Sequence, residues 1–437
     1  MKACPQCGRL YPDDAGFCPV EGEKLGRATQ VPVAVDANDA RVGQLVCQRY
    51  QIRRVVADGG MGRVYEALDM QQRRNVAVKI LHADVASDEV AVERFKREFE
   101  VSKLLPHDHI VEVLDFQPTG DGTYAMVMEY LYGEELRATL KRESVISPAR
   151  LVRMLSQVAI GLDQAHARKF VHRDLKPDNL FLCQTSDGDN LKILDFGSAK
   201  DKGESAKKLT VLGTTIGSPF YMAPEQAQGL ETLDHRADVW ALAAIAYECV
   251  TGRVPFMGNN GPSILLEILT KEPRPPSELG KDKKYPVPPT LDRVLAHGFK
   301  KLAALRIASV GALADAVGHA YGLTGNHVAW AAAREAELAQ PIEARMPELM
   351  ASGASAPQKA TAADSFFGES ESLGEAADPF AAGPGPAAAP PGSEPYSGSN
   401  SLVPAGVPKT PFPVVVLVGG AALVVGVLVV LAIVLLR

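Results

Sequence analysis

The sequence contains few cysteines and no excess of positive charge. Only 6 of its 437 residues are cysteine, and three of them, Cys4, Cys7 and Cys18, lie close to the N-terminus. So sparse a set does not supply a disulfide framework for the rest of the chain. The formal net charge of -6 argues against a large nucleic-acid-binding surface, for which a basic domain is typical. We therefore predict no nucleic-acid partner.

The N-terminus also lacks the long apolar run of a secretory signal peptide. Together with the low cysteine content, this absence predicts that the N-terminal part of the chain stays in a reducing cytosol. The length, by contrast, exceeds that of one average domain, and it predicts two or three structural units with enough residues for a sizeable core.

Composition changes several times along the chain and divides it into segments. Between residues 44 and 321, strand-like alternation such as "RNVAVKIL" comes first, and helical periodicity such as "ARLVRMLSQVAIGLDQAH" follows. This order predicts an α+β domain in which a small sheet-rich lobe precedes a larger helical lobe. The other predicted segments are a Cys/Pro/Gly-rich module at 1–26, a linker at 27–43, a short helix capped by Asn326 within 322–340, a flexible Ala/Pro/Gly/Ser-rich tether at 341–413 and an apolar segment at 414–436.

The apolar segment at 414–436 carries no charged residue. As a helix with a rise of about 1.5 Å per residue it would reach roughly 35 Å, enough to cross the hydrocarbon core of a membrane. A buried core helix is the alternative, but no adjoining domain is predicted that could cover it. We predict a single transmembrane helix followed only by Arg437, so that no external domain is expected.

The N-terminal module contains Cys4-x-x-Cys7 and Cys18-x-x-Glu21, where a zinc ribbon would have a second Cys-x-x-Cys pair. Two tight turns that each supply two ligands suit tetrahedral Zn2+, and a carboxylate oxygen can be the fourth ligand. The module resembles a degenerate zinc ribbon. Glu21 and Asp13 are both candidates for the fourth ligand of a structural zinc site, and a metal-free remnant of such a ribbon is the alternative.

A glycine-rich stretch, "ADGGMGRVY", begins at Ala57 and precedes Lys79 in the strand-like run "VAVK". A glycine-rich turn between two strands lets backbone amides approach phosphate oxygens, and a lysine on the next strand supplies a positive charge for them. On its own this pattern is weak evidence, because glycine-rich hairpins occur in many folds.

Two further stretches, "VHRDLKPDNLFL" and "LKILDFGSAK", carry polar side chains that suit chemistry. Asp174 and Asn179 lie five residues apart in the first, and Asp195 follows an apolar run in the second. These three groups could converge on a metal ion and a nucleophile. With these blocks in this order, the sequence from about Tyr50 to Tyr321 resembles the eukaryotic-like serine/threonine protein kinases found also in bacteria. The resemblance implies the bilobal protein kinase fold.

The resemblance also implies a binding site for ATP. Lys79 is similar to the lysine that contacts the phosphates and pairs with a helix glutamate, for which Glu98 is the best match and Glu100 lies close by. Ala57 stands where the family has the first glycine of its phosphate-covering loop, and Met128 is similar to the gatekeeper behind the adenine. The other residues implied to bind the nucleotide are Val56, Asp58, Gly59, Gly60, Met61, Gly62, Val64, Ala77, Glu129, Leu131 and Leu180.

Catalytic roles are implied in the same way. Asp174 resembles the base that orients the acceptor hydroxyl, and Lys176 suits a serine or threonine acceptor because it can neutralise the transferring phosphate. Asn179 and Asp195 resemble the ligands of Mg2+, or of Mn2+ in its place, which compensates the charge of the phosphates. His172, in the same stretch, is expected to be a packed core residue and not a proton carrier.

The stretch "GSPFYMAPEQ" is similar to the end of an activation segment, with Ser218 at a position usually held by threonine. Glu225 is expected to pair with Arg306, and Asp238 is expected to anchor the backbone of the catalytic loop. Arg173, next to the catalytic aspartate, suggests control by phosphorylation, because a phosphate on the segment could pair with it. The candidate phosphorylation sites are Thr210, Thr214, Thr215 and Ser218.

Two functions are compatible with these observations. The first is an active, membrane-tethered serine/threonine kinase with its kinase domain in the cytoplasm, which acts on protein substrates and whose self-association at the membrane promotes autophosphorylation in trans. The second is a nucleotide-binding pseudokinase that acts as an adapter, which Ala57 and the lost cysteine of the ribbon would favour. Lys79, Asp174, Asn179 and Asp195 are all present, so we predict the active kinase.

Overall fold

The computed structural model describes residues 39–196, 219–230 and 232–352, together with three two-residue strands that form a small antiparallel sheet at Lys2–Ala3, Leu10–Tyr11 and Gly26–Arg27. All of them lie in the first of two units of the chain, Met1–Glu369. The predicted zinc ligands, the candidate phosphorylation sites and the predicted membrane segment lie outside the described residues. Within the described part of the chain, no helix is long and apolar enough to cross a membrane, and no group of three or more His, Cys, Asp or Glu side chains could hold a metal ion.

A six-stranded antiparallel sheet forms the small lobe. Its strands are β1 Leu45–Val46, β2 Tyr50–Asp58, β3 Gly62–Asp69, β4 Arg74–Leu81, β5 Val113–Pro118 and β6 Tyr124–Glu129. They are arranged in the spatial order β1-β2-β3-β4-β6-β5. In β4, Val76, Val78 and Ile80 are buried, and Lys79 between them lies on the opposite face because successive side chains of a strand alternate. The predicted alternation is therefore present.

Two helices connect β4 to β5, namely α1 Ala83–Ala86 and α2 Glu89–Leu104. The side chain of Asp88 accepts a hydrogen bond from a backbone N–H of the first turn and so caps the start of α2. Phe95 of α2 packs against Met126 and Val113 of the sheet. This packing brings Glu98, one turn further along the helix, into a buried position beside the sheet.

Helices dominate the large lobe, which also contains a three-stranded sheet. The strands are β7 Gly133–Glu135, β8 Leu180–Thr185 and β9 Gly188–Ile193. The helices are α3 Leu136–Glu143, α4 Pro148–Ala167, α5 Pro224–Ala227, α6 Arg236–Thr251, α7 Gly261–Thr270, α8 Pro276–Leu279, α9 Pro289–Gly298, α10 Val310–Ala320, α11 His327–Ala332 and α12 Glu335–Ser352. Nearly every residue of α6 is buried, and Trp240 packs its ring against Phe256 and Phe299 at the centre of the lobe.

The folded region extends beyond both boundaries that composition predicted. Residues 39–43, predicted to be linker, belong to the small lobe: Val42 packs against its core, and the Gly43 N–H donates to a carbonyl of β2 at 2.9 Å. At the other end, α12 runs on to Ser352, although residues from 341 were predicted to be a flexible tether. Leu338 and Ile342 lie one turn apart and are both buried, so their packing outweighs the prolines inside the helix.

Candidate active site

The glycine-rich stretch forms the turn between β2 and β3. The Gly59 N–H donates to the Gly62 carbonyl at 3.1 Å and closes the turn. Gly62 is required by packing, because a Cβ there would overlap the carbonyl oxygen of Ile80, whereas a Cβ on Gly60 would meet none of the described atoms within 4 Å. Ala57 lies in β2 with an ordinary negative φ, so the strand accommodates its methyl group.

His82, which follows β4, ties this turn to the sheet. Its Nε2 lies 2.9 Å from the Gly59 carbonyl oxygen and 3.1 Å from Asp58 Oδ1. The His82 N–H also donates to the Met61 carbonyl at 3.2 Å. On the other side, Arg63 Nε donates to Asp58 Oδ2 at 2.9 Å. The sequence analysis did not predict a role for His82 or Arg63. The available signals were that His82 directly follows the strand with Lys79, and that Arg63 directly follows the last glycine of the loop.

The residues expected to enclose the adenine come from strands that are neighbours in the sheet. Ala77 of β4 pairs with Met128 of β6, and Val64 of β3 pairs with Lys79 of β4. In the large lobe, Leu180 begins β8 and is fully buried. The structure thus brings the apolar residues of the small lobe to one part of its sheet.

Glu129, at the end of β6, is bound to both lobes. Its Oε1 accepts hydrogen bonds from Lys192 Nζ of the large lobe at 2.6 Å and from the Glu112 N–H of the small lobe at 2.8 Å. The Glu129 N–H donates in turn to the Glu112 carbonyl at 2.9 Å. These bonds fix the start of the connection in which Leu131, predicted to contact the base, lies half-buried.

Lys79 lies between two carboxylates. Its Nζ is 3.0 Å from both carboxylate oxygens of Glu98 and 3.7 Å from Asp195 Oδ2. Glu100, the alternative partner, is exposed. Burial and then the charge of Asp195 raise the pKa of Glu98 above its ordinary value, and the Lys79 ammonium opposes this shift. One lysine therefore faces two carboxylates, and the excess of negative charge fits a divalent cation bound beside them.

Asp174, Lys176 and Asn179 form a hydrogen-bonded group in the catalytic loop. Lys176 Nζ donates to Asp174 Oδ2 at 2.7 Å, and Asn179 Nδ2 donates to the Asp174 carbonyl at 2.7 Å. The Asp174 side chain stays 41% exposed, which leaves it accessible to a substrate hydroxyl. Because Asn179 uses its amide nitrogen here, its amide oxygen is the atom that suits a hard cation.

Asp238 of α6 holds the backbone of this loop from inside the lobe. It accepts hydrogen bonds from the N–H groups of His172 and Arg173, both at 2.9 Å, and lies 2.7 Å from Nε2 of His166. Burial opposes the charge of Asp238, but these hydrogen bonds outweigh it and lower its pKa. His172 is fully buried, as predicted, and its ring packs against Phe196 with centroids 4.8 Å apart.

Comparison with known proteins assigns the family. The model of the protein kinase domain matches residues 50–310, which is more than half of the 437 residues. The chain belongs to the protein kinase family. A solved structure, the kinase domain of Mycobacterium tuberculosis PknI, matches this kinase with a TM-score of 0.51 and 27% sequence identity, and covers 64% of this chain and 98% of the PknI chain. The likeness agrees with the two-lobed fold.

Curated relatives of this kinase are bacterial serine/threonine-protein kinases. Pkn3 of Myxococcus xanthus is 36% identical over 277 residues, covering 63% of this chain and 50% of pkn3. PknA of Mycobacterium tuberculosis is 38% identical over 281 residues, covering 63% of this chain and 62% of PknA. The kinase thus spans between half and two thirds of the length of these relatives.

A buried ion pair anchors α5 of the kinase, at the end of the predicted activation segment. The Arg306 side chain, which is 0% exposed, donates from its two terminal nitrogens to the two carboxylate oxygens of Glu225 at 2.6 and 2.5 Å. The predicted pairing of these residues is confirmed. Arg173 has a positive φ of 68°, and its buried Nε has no partner among the described residues. That unpaired donor suits an anion.

A cavity of about 430 Å³ lies beside the catalytic loop. On one side Arg137 donates to Glu248 Oε1 at 2.8 Å and to Asp178 Oδ2 at 3.3 Å. The Tyr221 hydroxyl also donates to Glu248. Asp178, which lines the cavity, lies four residues after Asp174 in the same loop. Sequence reasoning missed the cavity, since its residues lie far apart in the chain and form no motif.

Proposed function

We propose that the kinase domain is active and transfers the γ-phosphoryl group of ATP to serine and threonine hydroxyls of proteins. The observation that carries the proposal is the buried ion pair between Lys79 and Glu98, with Asp195 at 3.7 Å from the same ammonium group. Burying charges is costly even when they are paired, so their presence here supports a functional role, which we propose is to bind phosphates through the Lys79 ammonium. The curated relatives, which are named serine/threonine-protein kinases, support the choice of acceptor.

In this proposal Asp174 is the group that receives the proton. Its carboxylate orients the acceptor hydroxyl and takes the proton as the hydroxyl oxygen bonds to the γ-phosphorus and the bond to ADP breaks. Lys176 stabilises the charge of the transferring group, and Lys79 holds the remaining phosphates of ATP. Asn179 and Asp195 would hold Mg2+ or Mn2+, which when bound compensates the negative charge of the phosphates.

Incubation of the purified protein with labelled ATP, Mg2+ and a general acceptor protein tests this function. We expect label on serine or threonine, and we expect Asp174→Asn to lower transfer by at least about 100-fold, since a positioned base contributes roughly 10²–10⁴. Asp187→Asn is the matched control, because Asp187 is an exposed carboxylate in the turn between β8 and β9. Absence of transfer by the folded wild-type protein would show that the proposal is wrong.

A nucleotide-binding pseudokinase is the competing function, and Ala57 is the residue that favours it. Its negative φ within β2 argues that the loop tolerates alanine at this position. We expect Ala57→Gly to change the apparent affinity for ATP by no more than about threefold, because the backbone already adopts this conformation. Transfer activity that appears only in the glycine variant would favour the pseudokinase.

We propose further that residues 414–436 anchor the kinase in a membrane, with the kinase domain on the cytoplasmic side where ATP is available. The lack of charge in this segment supports the anchor. Confinement to a membrane raises the effective concentration of the kinase and would promote autophosphorylation in trans on the activation segment. Deletion of 414–436 tests both parts. An unchanged amount of the kinase in the membrane fraction would contradict the anchor, and unchanged autophosphorylation in cells would contradict the role of clustering.

We also propose a structural zinc ion in the N-terminal module, held by the thiolates of Cys4, Cys7 and Cys18 and by a carboxylate of Glu21 or Asp13. The spacing of the cysteines supports it. Metal analysis of the purified protein should find one zinc per chain, and Cys7→Ser should release it. A metal-free protein after expression with added zinc would favour the remnant of a ribbon instead.

A further inference from the structure

Asp39, which lies a few residues before β1, is a charged residue whose side chain is buried in the small lobe. The Asp39 side chain is 7% exposed. It accepts hydrogen bonds from Arg63 Nη1, from the Tyr65 hydroxyl at 3.0 Å and from the Arg41 N–H at 2.8 Å. Burial opposes the charge of Asp39, but these donors outweigh it and lower its pKa. Three donors on one carboxylate indicate a specific contact and not a transient ion pair on the surface.

Arg63 connects Asp39 to the glycine-rich turn between β2 and β3, the phosphate loop. Its guanidinium donates to Asp39 through Nη1 and to Asp58 Oδ2 through Nε, the latter at 2.9 Å. Asp58 is the last residue of β2 before the turn, and its other oxygen lies 3.1 Å from His82 Nε2. A single guanidinium therefore bridges Asp39, near the start of the small lobe, and Asp58, the last residue before the turn.

This bridge is important because packing does little to hold the turn. Residues 56–61 are all exposed, and a side chain added at Gly60 would meet none of the described atoms within 4 Å. The position of the turn therefore depends on its polar contacts. A loop that is already held loses less conformational freedom when a ligand binds, which strengthens binding.

We propose that Asp39 is a positioning residue for the phosphate loop, which it holds in place through Arg63 and whose affinity for nucleotide it thereby increases. Asp39 takes no part in phosphoryl transfer, and the proposal rests on the proposed function only for the identity of the nucleotide.

Asp39→Asn in the full chain tests the proposal, with Asp121→Asn as the matched control. Asp121 accepts from Arg41 Nη2 at 2.7 Å, so it pairs with the same segment, but it contacts no part of the turn among the described residues. We expect Asp39→Asn to speed amide hydrogen exchange at residues 59–62 of the nucleotide-free protein. We also expect it to weaken binding of a fluorescent ATP analogue, and to raise KM for ATP, by about three- to tenfold, with kcat within about twofold. The control should match wild type in all four measurements.

Arg63→Gln removes the bridge from its other end. On its own it should also speed exchange at residues 59–62 and weaken nucleotide binding, so the test stays informative if Asp39→Asn does not fold. In the Arg63→Gln background, Asp39→Asn should have no further effect on exchange or on nucleotide binding. Unchanged exchange and binding in Asp39→Asn, or an equal effect in both backgrounds, would overturn the proposal. Nucleotide binding that depends on Asp39 in a protein without transfer activity would contradict the proposed function and leave this inference standing.

Discussion

The two lobes hold their functional residues in different ways. In the large lobe, the catalytic loop is held by Asp238, whose carboxylate is fully buried and accepts three hydrogen bonds. In the small lobe, the phosphate loop is held by side chains that water reaches, since Asp58 is 47% exposed and Arg63 is 33% exposed. Breaking a buried charge network is strongly destabilising, whereas an exposed pair contributes little. The catalytic loop is therefore held more firmly than the loop over the nucleotide, whose buried anchor, Asp39, acts through the partly exposed Arg63.

The largest effect is expected from Asp238→Ala. The substitution leaves the N–H groups of His172 and Arg173 without their acceptor inside the lobe. We expect a loss of about 3–5 kcal/mol in the free energy of unfolding, as for other broken buried charge networks, together with loss of transfer activity. Urea denaturation measures it, with Asp234→Asn as control, because the Asp234 side chain just before α6 is 38% exposed. A loss below about 1 kcal/mol, the range of exposed pairs, would remove the contrast between the lobes.

Glu225→Ala should give the next largest effect, because it leaves the fully buried Arg306 guanidinium without its carboxylate. We expect the free energy of unfolding to fall by about 2–4 kcal/mol. Glu267→Ala breaks an exposed pair with Lys271 at 3.5 Å and should change it by less than about 0.5 kcal/mol. Equal losses in the two variants, measured by urea denaturation, would mean that burial does not set the strength of these pairs.

In the small lobe, Gly62→Ala and Gly60→Ala form a pair that separates packing from flexibility. A Cβ on Gly62 would overlap the Ile80 carbonyl oxygen, and one on Gly60 would meet open space among the described residues. We expect Gly62→Ala to lower the free energy of unfolding by about 1–3 kcal/mol, as overpacking does, and to weaken ATP binding. Gly60→Ala should change stability by less than about 0.5 kcal/mol. Thermal melts and nucleotide titrations measure both, and a reversed order would refute the packing role of Gly62.

The smallest effect is expected from a partly buried pair of the large lobe, between Asp315 of α10 and His327 of α11. The Asp315 carboxylate, 2.9 Å from His327 Nδ1, raises the pKa of His327 above its ordinary value. A raised pKa means that protonated His327 stabilises the fold below about pH 6.5, and that this contribution is lost as the pH rises through the folded-state pKa. We expect about 0.5 kcal/mol, seen as a difference between wild type and His327→Asn at pH 6 that shrinks at pH 8. A difference that grows with pH would contradict this assignment.

Local pattern and family motifs predicted the two lobes, and also Asp238 and Arg306 as anchors, because strand alternation, helical periodicity and short motifs are properties of neighbouring residues. They favoured Glu98 but did not exclude Glu100. That choice depends on which face of α2 meets the sheet, and the packing of Phe95 turns Glu98 inward.

Contacts between distant residues that no family motif carries were beyond the reach of the sequence. Asp39 and Arg63 are joined only by the folding of the small lobe, and nothing in composition separated Asp39 from the linker predicted at 27–43. The continuation of α12 was missed for a related reason. Its prolines suggested a flexible tether, and the burial of Leu338 and Ile342 requires a partner surface that composition does not display.

The packing of Trp330 of α11 shows that the folded domain extends beyond the residues that the family model matches. The Trp330 ring occupies the space into which a Cβ on Gly318 would project, and the nearby Ala333 carbonyl accepts from Arg153 Nε of α4 at 2.7 Å. The family model stops at residue 310, so it includes Arg153 but not Gly318, Trp330 or Ala333. A fragment cut there would keep every kinase motif and lose the cover of α4, so a domain prepared for study in isolation should end at residue 352.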